Sequence, residues 1–307
     1  MNKSAPPLSV IAGPTASGKS ALAVAFAQRT NGVIVNADSA QVYVDLRILS
    51  ARPCLEEMGG IEHRLFGTRD GAEACSAAAW AEEARAAIAD IHQRGQHPIL
   101  VGGTGLYLRT LLDGIAEVPP VDPAIRAEVR AASVEDNHRL LAALDAEAAT
   151  RLHPNDTTRI ARALEVVRST GLPLRRWQGR TTGGIRSSVR LTGTILLGDG
   201  PELARRIDRR FAAMVDEGAL KEVRLLLDRG LSPDLPVMRA IGVPELAAHL
   251  KGEMSLEQAV AAGQLSTRQY AKRQRTWFRN QPLGIAPTSE PESALRDLLA
   301  AAKDCGC

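Results

Sequence analysis

The sequence predicts an α/β fold: a P-loop-type parallel sheet flanked by helices, with a helical insertion domain and a helical C-terminal region. Three observations carry this. Short apolar runs alternate with stretches of helical spacing from residue 8 to residue 112. The first run stops at a glycine-rich turn. From Asp122 to about Gly171 only helical periodicity remains. Strands alternating with helices imply right-handed βαβ units and a parallel sheet.

Leu-Ser-Val-Ile-Ala at 8–12 reads as a buried parallel strand. A helix is expected over 20–29, where Ala and Leu recur at helical spacing, and a turn at Asn31-Gly32. Val33-Ile34-Val35 is a second buried strand, ending at Asn36-Ala37-Asp38. Residues 76–94 are Ala-rich with scattered Glu and Arg, a helix that Gly95 stops. Pro98-Ile99-Leu100-Val101 is a third strand, ending at Gly102-Gly103-Thr104-Gly105, and helical spacing returns over 106–112. The pattern changes at Pro119-Pro120. Residues 181–188 read as a loop and 191–197 as a strand able to rejoin the sheet. Everything after Pro201 reads as helical, with breaks at Gly230, 233–236 and Gly242. The expected organisation is a first part of the core at 1–117, the insertion at 118–190, core completion and C-terminal helices at 191–285, and a tail at 286–307.

At 307 residues the chain has room for about two domains. Hydrophobic residues at 45% and charged residues at 24% exclude a collagen-like chain, a disulfide scaffold and wholesale disorder. Aromatics at 3% leave the core to Ala, Leu, Val and Ile. A net charge of +3 identifies no partner. Cys54, Cys75, Cys305 and Cys307 are too scattered for a disulfide framework or a zinc site, and the last two read as spare thiols in a frayed tail. The first seven residues lack the apolar stretch of a secretory leader, and no run of 18 apolar residues occurs. A cytoplasmic protein is expected.

Gly13-Pro14-Thr15-Ala16-Ser17-Gly18-Lys19-Ser20 satisfies G-x-x-x-x-G-K-[ST] between a strand and a helix. In that context loop amides and the helix N-terminus converge on a phosphate or diphosphate. Lys19 supplies a cation to the outer oxygens, and Ser20 can hold Mg²⁺ through its hydroxyl. The motif identifies a phosphate ligand without saying what happens to it. Nucleotide-hydrolysing relatives of this loop usually carry an apolar strand ending in Asp. Here the 98–101 strand ends in Gly102-Gly103-Thr104, and the Asp ends the second strand instead.

Asp38 is at the carboxyl end of its strand, the edge where open α/β sheets bind ligands. A carboxylate beside a diphosphate is unfavourable unless it has a task. Two tasks fit: holding Mg²⁺, or accepting a proton from a nucleophile. The structural alternative is an Asx-turn or a helix cap. Thr104 reaches the same edge. Its hydroxyl can orient a nucleophile or a phosphate oxygen, or simply cap a helix.

These segments together resemble the tRNA isopentenyltransferase (tRNA dimethylallyltransferase) family. The resemblance rests on Gly13–Ser20, on Asp38-Ser39-Ala40-Gln41-Val42-Tyr43 and on Gly102-Gly103-Thr104-Gly105-Leu106-Tyr107. It continues through His153-Pro154-Asn155-Asp156, Arg159, Arg162-Ala163-Leu164-Glu165-Val166 and the 267–279 stretch, with the motifs in order over about residues 8–280.

The resemblance implies transfer of a dimethylallyl group from dimethylallyl diphosphate to N6 of the adenine immediately 3′ of the anticodon, in tRNAs reading codons that begin with U. The loop then holds the donor's diphosphate, and Mg²⁺ is the expected cofactor. Asp38 corresponds to the general base and Thr104 to a residue contacting the target nucleotide. Asp38, Ser39, Ala40, Gln41, Arg126, Thr158, Arg159, Ile160, Ala161 and Arg162 fall in tRNA-binding positions. The anticodon stem-loop is the expected partner, and the enzyme a monomer. Three positions depart from the family: Leu49-Ser50-Ala51-Arg52-Pro53 replaces Gly-Thr-Ala-Lys-Pro, His63-Arg64 replaces His-His, and Gly242-Val243-Pro244 replaces a Gly-Tyr pair. The zinc finger of eukaryotic members is not seen, which points to the bacterial form.

The charge distribution agrees. Residues 151–190 hold nine arginines (151, 159, 162, 168, 175, 176, 180, 186 and 190) against Asp156 and Glu165. Residues 268–279 hold Arg268, Lys272, Arg273, Arg275 and Arg279 with no acid, interleaved with Tyr270, Trp277 and Phe278. Such runs suit RNA or form a solvated face. Trp277 and Phe278 read as core. Two other functions remain open on the motifs alone: a P-loop small-molecule kinase with a helical lid, and a non-catalytic RNA-binding module.

Overall fold

The structure, a computed structural model, describes residues 5–281 and 283–303; Cys305 and Cys307 lie outside them. Among the described residues eight strands form: β1 (Pro7–Ala12), β2 (Gly32–Asn36), β3 (His63–Arg64), β4 (His97–Gly102), β5 (Ile115–Ala116), β6 (Thr181–Thr182), β7 (Arg190–Leu196) and β8 (Pro287–Thr288). The first helices are α1 (Lys19–Ala27), α2 (Leu55–Met58), α3 (Ala77–Gln93) and α4 (Gly105–Asp113). Then come α5 (Pro123–Ala131), α6 (Val134–Leu144), α7 (Ala146–Arg151), α8 (Thr157–Thr170) and α9 (Leu174–Gln178). The last are α10 (Gly200–Asp216), α11 (Ala219–Asp228), α12 (Val243–Leu250), α13 (Leu256–Asn280) and α14 (Pro291–Lys303), with a 3₁₀ turn at Pro236–Arg239.

Contacts divide the chain into two compact units, Met1–Leu112 with Ile185–Cys307, and Asp113–Gly184. The first holds a six-stranded sheet in the order β3-β2-β4-β1-β7-β8. Every neighbouring pair is parallel. The expected α/β class is therefore present, and β7 rejoins the sheet beside β1 with Val10 opposite Gly193. Alternate side chains serve two apolar layers. Leu8, Val10, Val33, Val35 and Leu100 pack with Trp80, Ile88 and Leu108 of α3 and α4. Ile11, Ile34, Ile99 and Val101 pack with Leu22 and Phe26 of α1 and with Ala294 and Leu298 of α14. Burial on both faces is why these strands read as continuous apolar runs.

Several elements were not expected. The two-residue strands β3 and β8 carry no period to read. Pro287 begins the edge strand β8, a position that needs no amide. The 286–307 segment, read as a tail, contains β8 and α14 among its described residues. Ala294, Leu298 and Ala302 repeat every fourth position of α14 and are buried. A chain that is helical throughout after Pro201 is thus corrected by one strand.

The second unit packs five short helices and the antiparallel pair β5–β6, of which β6 falls within the segment read as a loop. Side-chain caps punctuate it. Asp122, Ser133, Asp145 and Asp156 each accept an amide from the helix they precede. Val129, Leu141, Ile160, Leu164 and Val167 form its core. The Ile185 and Arg186 amides bind the Leu111 and Leu112 carbonyls, returning the chain to the first unit.

Candidate active site

The phosphate-loop residues link β1 to α1 at the carboxyl edge of the sheet. Gly13 approaches its neighbours too closely for a side chain: a Cβ there would lie 2.4 Å from the Leu196 carbonyl oxygen. Gly18 takes a left-handed φ of 89° at the N-cap of α1, where no side chain caps the helix. The first-turn amides of α1 therefore have no side-chain cap in competition with an anion. Ser17 is buried, and its hydroxyl has no partner among the described residues. Lys19 folds back, Nζ donating to the Pro14 carbonyl at 3.3 Å. Withdrawal from water lowers its pKa to about 8, against the opposing pull of Asp38 and with a further push from Arg210.

Asp38 follows β2 in a turn built by Asn36. The Asn36 amide group donates to the Asp38 carbonyl at 3.0 Å, and its Oδ1 accepts the Asp38 amide at 2.8 Å. Asp38 Oδ1 accepts the Ala40 amide at 3.0 Å, so the Asx-turn exists. It occupies one carboxylate oxygen. Asp38 also lines a cavity of about 350 Å³, together with Thr15, Ser39, Ala40 and Arg210. Thr104 precedes α4, but its hydroxyl does not cap that helix. Thr104 Oγ1 accepts the Ser39 amide at 2.9 Å and donates to Ser39 Oγ at 3.2 Å, tying the β4 edge to the Asp38 turn.

Gln274, buried on α13, completes the arrangement. Its Oε1 accepts the Thr15 amide at 2.9 Å, and its Nε2 donates to the Gly103 carbonyl at 2.9 Å. One side chain thus clamps the phosphate loop to the glycine turn after β4. One turn earlier, Tyr270 lines the cavity; burial and the Asp38 charge push its phenol pKa up. Arg273 lies over the Tyr270 ring, 5.7 Å from its centroid. Much of the remaining wall is apolar and aromatic, with Leu49, Ile207, Phe211, Met214 and Ile241 beside Tyr43 and Tyr107, while Ser50, Thr267 and Arg239 add polar groups. Tyr107 stacks on Trp80 at 4.6 Å and donates to the Cys75 carbonyl at 3.3 Å.

An anion cradle with a cation, a carboxylate and an apolar chamber together suit attack on carbon beside a leaving phosphate group. They suit a phosphoryl-transferring kinase less well, since β4 ends in Gly102 and is followed by Gly103-Thr104 with no carboxylate. As to a metal, Ser20 stands exposed in the first turn of α1. Among the described residues no three His, Cys, Asp or Glu side chains gather at a metal-sized site. This donor set fits an ion carried by a diphosphate, since Mg²⁺ commonly takes its ligands from phosphates, water and few protein groups.

The tRNA-binding positions expected from the sequence separate by exposure. Ser39 and Ala40 line the cavity. Gln41 spends its side-chain amide on the Ser50 and Ala51 carbonyls, at 3.0 and 2.8 Å. In the second unit Arg126, Thr158 and Arg159 are exposed and Arg162 is partly so. Ile160 and Ala161 are buried in its core, so their side chains are withdrawn from any RNA. Local charge counting also exaggerated the basic character of 151–190. Glu128 and Glu147, from outside the segment, pair with Arg168 and Arg175. Trp277 and Phe278 are core as expected: Phe278 is buried, and a Cβ on Gly105 would lie 2.2 Å from the Trp277 ring.

Sequence reasoning missed Arg210. The signal was a cation inside an apolar stripe, because Ile207, Arg210, Phe211 and Met214 follow helical spacing on α10 and all line the cavity.

Residues 41–281 match the IPP transferase family. The tRNA dimethylallyltransferase of Sphingopyxis alaskensis is 60% identical over 276 residues, covering 90% of each chain. That of Rhizobium meliloti is 48% identical, covering 89% of this chain and 91% of its own. Among solved structures, the full-length tRNA isopentenylpyrophosphate transferase of Bacillus halodurans matches with a TM-score of 0.71 and 33% identity, over 98% of this chain and 97% of that one. A eukaryotic dimethylallyltransferase acting on tRNA matches with a TM-score of 0.76 and 31% identity, over 89% of this chain and 70% of that one. With the family match over residues 41–281 and similarity over most of the length of the relatives, the chain belongs to the IPP transferase family, alongside the tRNA dimethylallyltransferases.

Proposed function

We propose that the protein transfers the dimethylallyl group of dimethylallyl diphosphate to N6 of the adenine 3′-adjacent to the anticodon, in tRNAs reading U-initial codons, and releases diphosphate. One observation carries the reading: Thr15 of the phosphate loop, the Asp38 carboxylate and the Arg210 guanidinium line one cavity, whose wall is otherwise largely apolar and aromatic.

Adenine N6 is a poor nucleophile because its lone pair is delocalised into the ring. As N6 bonds to the allylic C1, its N–H becomes acidic, and Asp38 accepts that proton. Such assistance is typically worth roughly 10²–10⁴-fold. The C1–O bond breaks with its electron pair going to the diphosphate. The amides at the start of α1 and Lys19 supply preorganised donors to that growing charge, which favours the transition state over the ground state. Thr104, anchored on Ser39, holds the edge at which the base enters. Mg²⁺, bound through the Ser20 hydroxyl and the diphosphate itself, would add positive charge to the leaving group. Apolar walls exclude water from the allylic carbon.

The anticodon stem-loop suits this chemistry because a loop base leaves its stack more easily than a duplex base. Arg126, Thr158, Arg159 and Arg162 on the second unit, and the cations of α13, are the proposed RNA contacts. No described helix is long and apolar enough to cross a membrane; a cytoplasmic monomer is proposed.

The test is incubation of protein, Mg²⁺, dimethylallyl diphosphate and unmodified tRNA, followed by nucleoside mass analysis. An isopentenyl-adenosine product is expected. Asp38→Ala should lose transfer while still binding tRNA; full transfer by that variant removes the general-base role.

A further inference from the structure

Glu222 stands in the first turn of α11 and takes no part in the chemistry described above. Its carboxylate gathers three consecutive backbone amides. Oε1 accepts those of Arg47 and Ile48 at 2.6 and 2.8 Å, and Oε2 accepts that of Leu49 at 2.9 Å. Hydrogen bonds to an ionised acceptor are roughly twice as strong as neutral ones. Gln41 holds the same turn from the other end through the Ser50 and Ala51 carbonyls. Arg52 folds back onto the Tyr43 carbonyl at 3.3 Å. The braced turn is a wall of the cavity, which Leu49, Ser50 and Ala51 line.

Leu49 closes that wall tightly. A Cβ on Gly242 would lie 2.7 Å from Leu49 Cδ2 and 3.3 Å from Phe211 Cε2, so Leu49 and Phe211 both close in on a glycine that leaves no spare space. α10 serves as a ruler here. Ile207 packs in the small cluster that includes Ala16 of the phosphate loop. Phe211 lies four residues further along the helix, about 6 Å at 1.5 Å per residue. A dimethylallyl chain leaving the loop spans about 5 Å at ~1.5 Å per bond. It ends near the level of Phe211 and Leu49, whereas a chain one isoprene unit longer runs into them.

We propose that Glu222 is a positioning residue which, by holding Leu49 against Phe211, sets the length of allylic donor the cavity admits. This rests on the prenyl-transfer reading above. The carboxylate holds the backbone, the backbone presents Leu49, and Leu49 stops the chain.

The experiment uses the full chain with unmodified tRNA. The ratio of kcat/KM for geranyl diphosphate to that for dimethylallyl diphosphate is measured in the wild type, Leu49→Ala, Glu222→Ala and Glu222→Gln. This ratio is independent of the fraction of protein folded. It should rise at least about tenfold in Leu49→Ala and Glu222→Ala, the scale that apolar pocket discrimination reaches. Glu222→Gln keeps one oxygen able to accept two of the three amides, so its ratio should fall between wild type and Glu222→Ala. Ratios within about twofold of wild type in both alanine variants overturn the proposal, as does a Leu49→Ala effect confined to the KM for tRNA. A wild-type chain that transfers from neither donor overturns the prenyl-transfer reading, and this inference with it.

Discussion

Replacing Gln274 by alanine tests whether the two substrate-facing turns act as one piece. The side chain is 5% exposed and makes two hydrogen bonds of 2.9 Å, one to each turn. Losing both removes about 2 kcal/mol at roughly 1 kcal/mol each. The Gly103 carbonyl is left buried without that partner, adding about 1–2 kcal/mol. The Thr15 amide is only partly buried, so water can replace its bond. The expected destabilisation is about 3–4 kcal/mol, read as a lower urea midpoint at unchanged slope. Binding is also affected. If the donor must now order one residue of the loop, the cost is about 1–2 kcal/mol of backbone entropy. That corresponds to roughly a 5- to 30-fold rise in the KM for dimethylallyl diphosphate. A destabilisation under about 0.5 kcal/mol with a KM within twofold of wild type would refute the clamp.

Other outcomes follow from charge and burial. Lys19 must be protonated to hold an anion, and its pKa is about 8 in the free protein. The KM for the donor should therefore rise above pH 8, by up to about tenfold per unit, and Lys19→Arg should remove that inflection. In the same free protein the depressed lysine makes the unfolded state bind more protons between pH 8 and 10.5, so its contribution to stability improves across that window. His97 is buried beside Ser9, and burial lowers its pKa from 6.5 to about 4. The stability it contributes is complete above pH 6.5 and is lost as pH falls toward 4, up to about 3 kcal/mol at ~1.4 kcal/mol per unit. Urea titrations between pH 7 and 5 should show the slope, and His97→Gln should flatten it. In the second unit, the Glu165 carboxylate is 1% exposed and pairs with the half-exposed Arg130 at 2.6 Å. Arg130→Ala leaves the buried carboxylate with only the longer Arg162 contact at 3.9 Å and should cost about 3 kcal/mol, while Glu165→Leu leaves two part-solvated guanidinium groups and should cost under about 1 kcal/mol. Equal losses in the two variants, measured by urea unfolding, would contradict the asymmetry.

The legible parts of this molecule were the local ones. The phosphate loop could be read because its eight residues are contiguous and sit between two strongly patterned elements. Asp38 and Thr104 could be placed at the ligand edge because each ends a strand whose apolar run was plain. The Asx-turn weighed against Asp38 turned out to be present, and it uses one oxygen without withdrawing the carboxylate from the cavity. The contiguous span 158–162 was read as one surface, yet helical geometry sends Ile160 and Ala161 inward. Gln274 was visible only as one polar residue in a basic run. Its role depends on Thr15, at a sequence separation of 259 residues. Glu222 gave no signal, since an acidic residue in a first helical turn normally just complements the helix dipole.

By itself, then, the sequence determined the fold class, the strand–loop–helix that cradles an anion, the carboxylate at the sheet edge and the family. These depend on periodicity and short spacing, which act within one or two turns of chain. Tertiary structure alone decided that α13 clamps the loop through Gln274, that α10 brings Arg210 into the cavity that Asp38 lines, that α11 holds Leu49 in the cavity wall, and that β8 and α14 complete the sheet and its cover. Those outcomes depend on which distant surfaces bury one another. That is settled by the packing of the whole chain and leaves no periodic mark on any one segment.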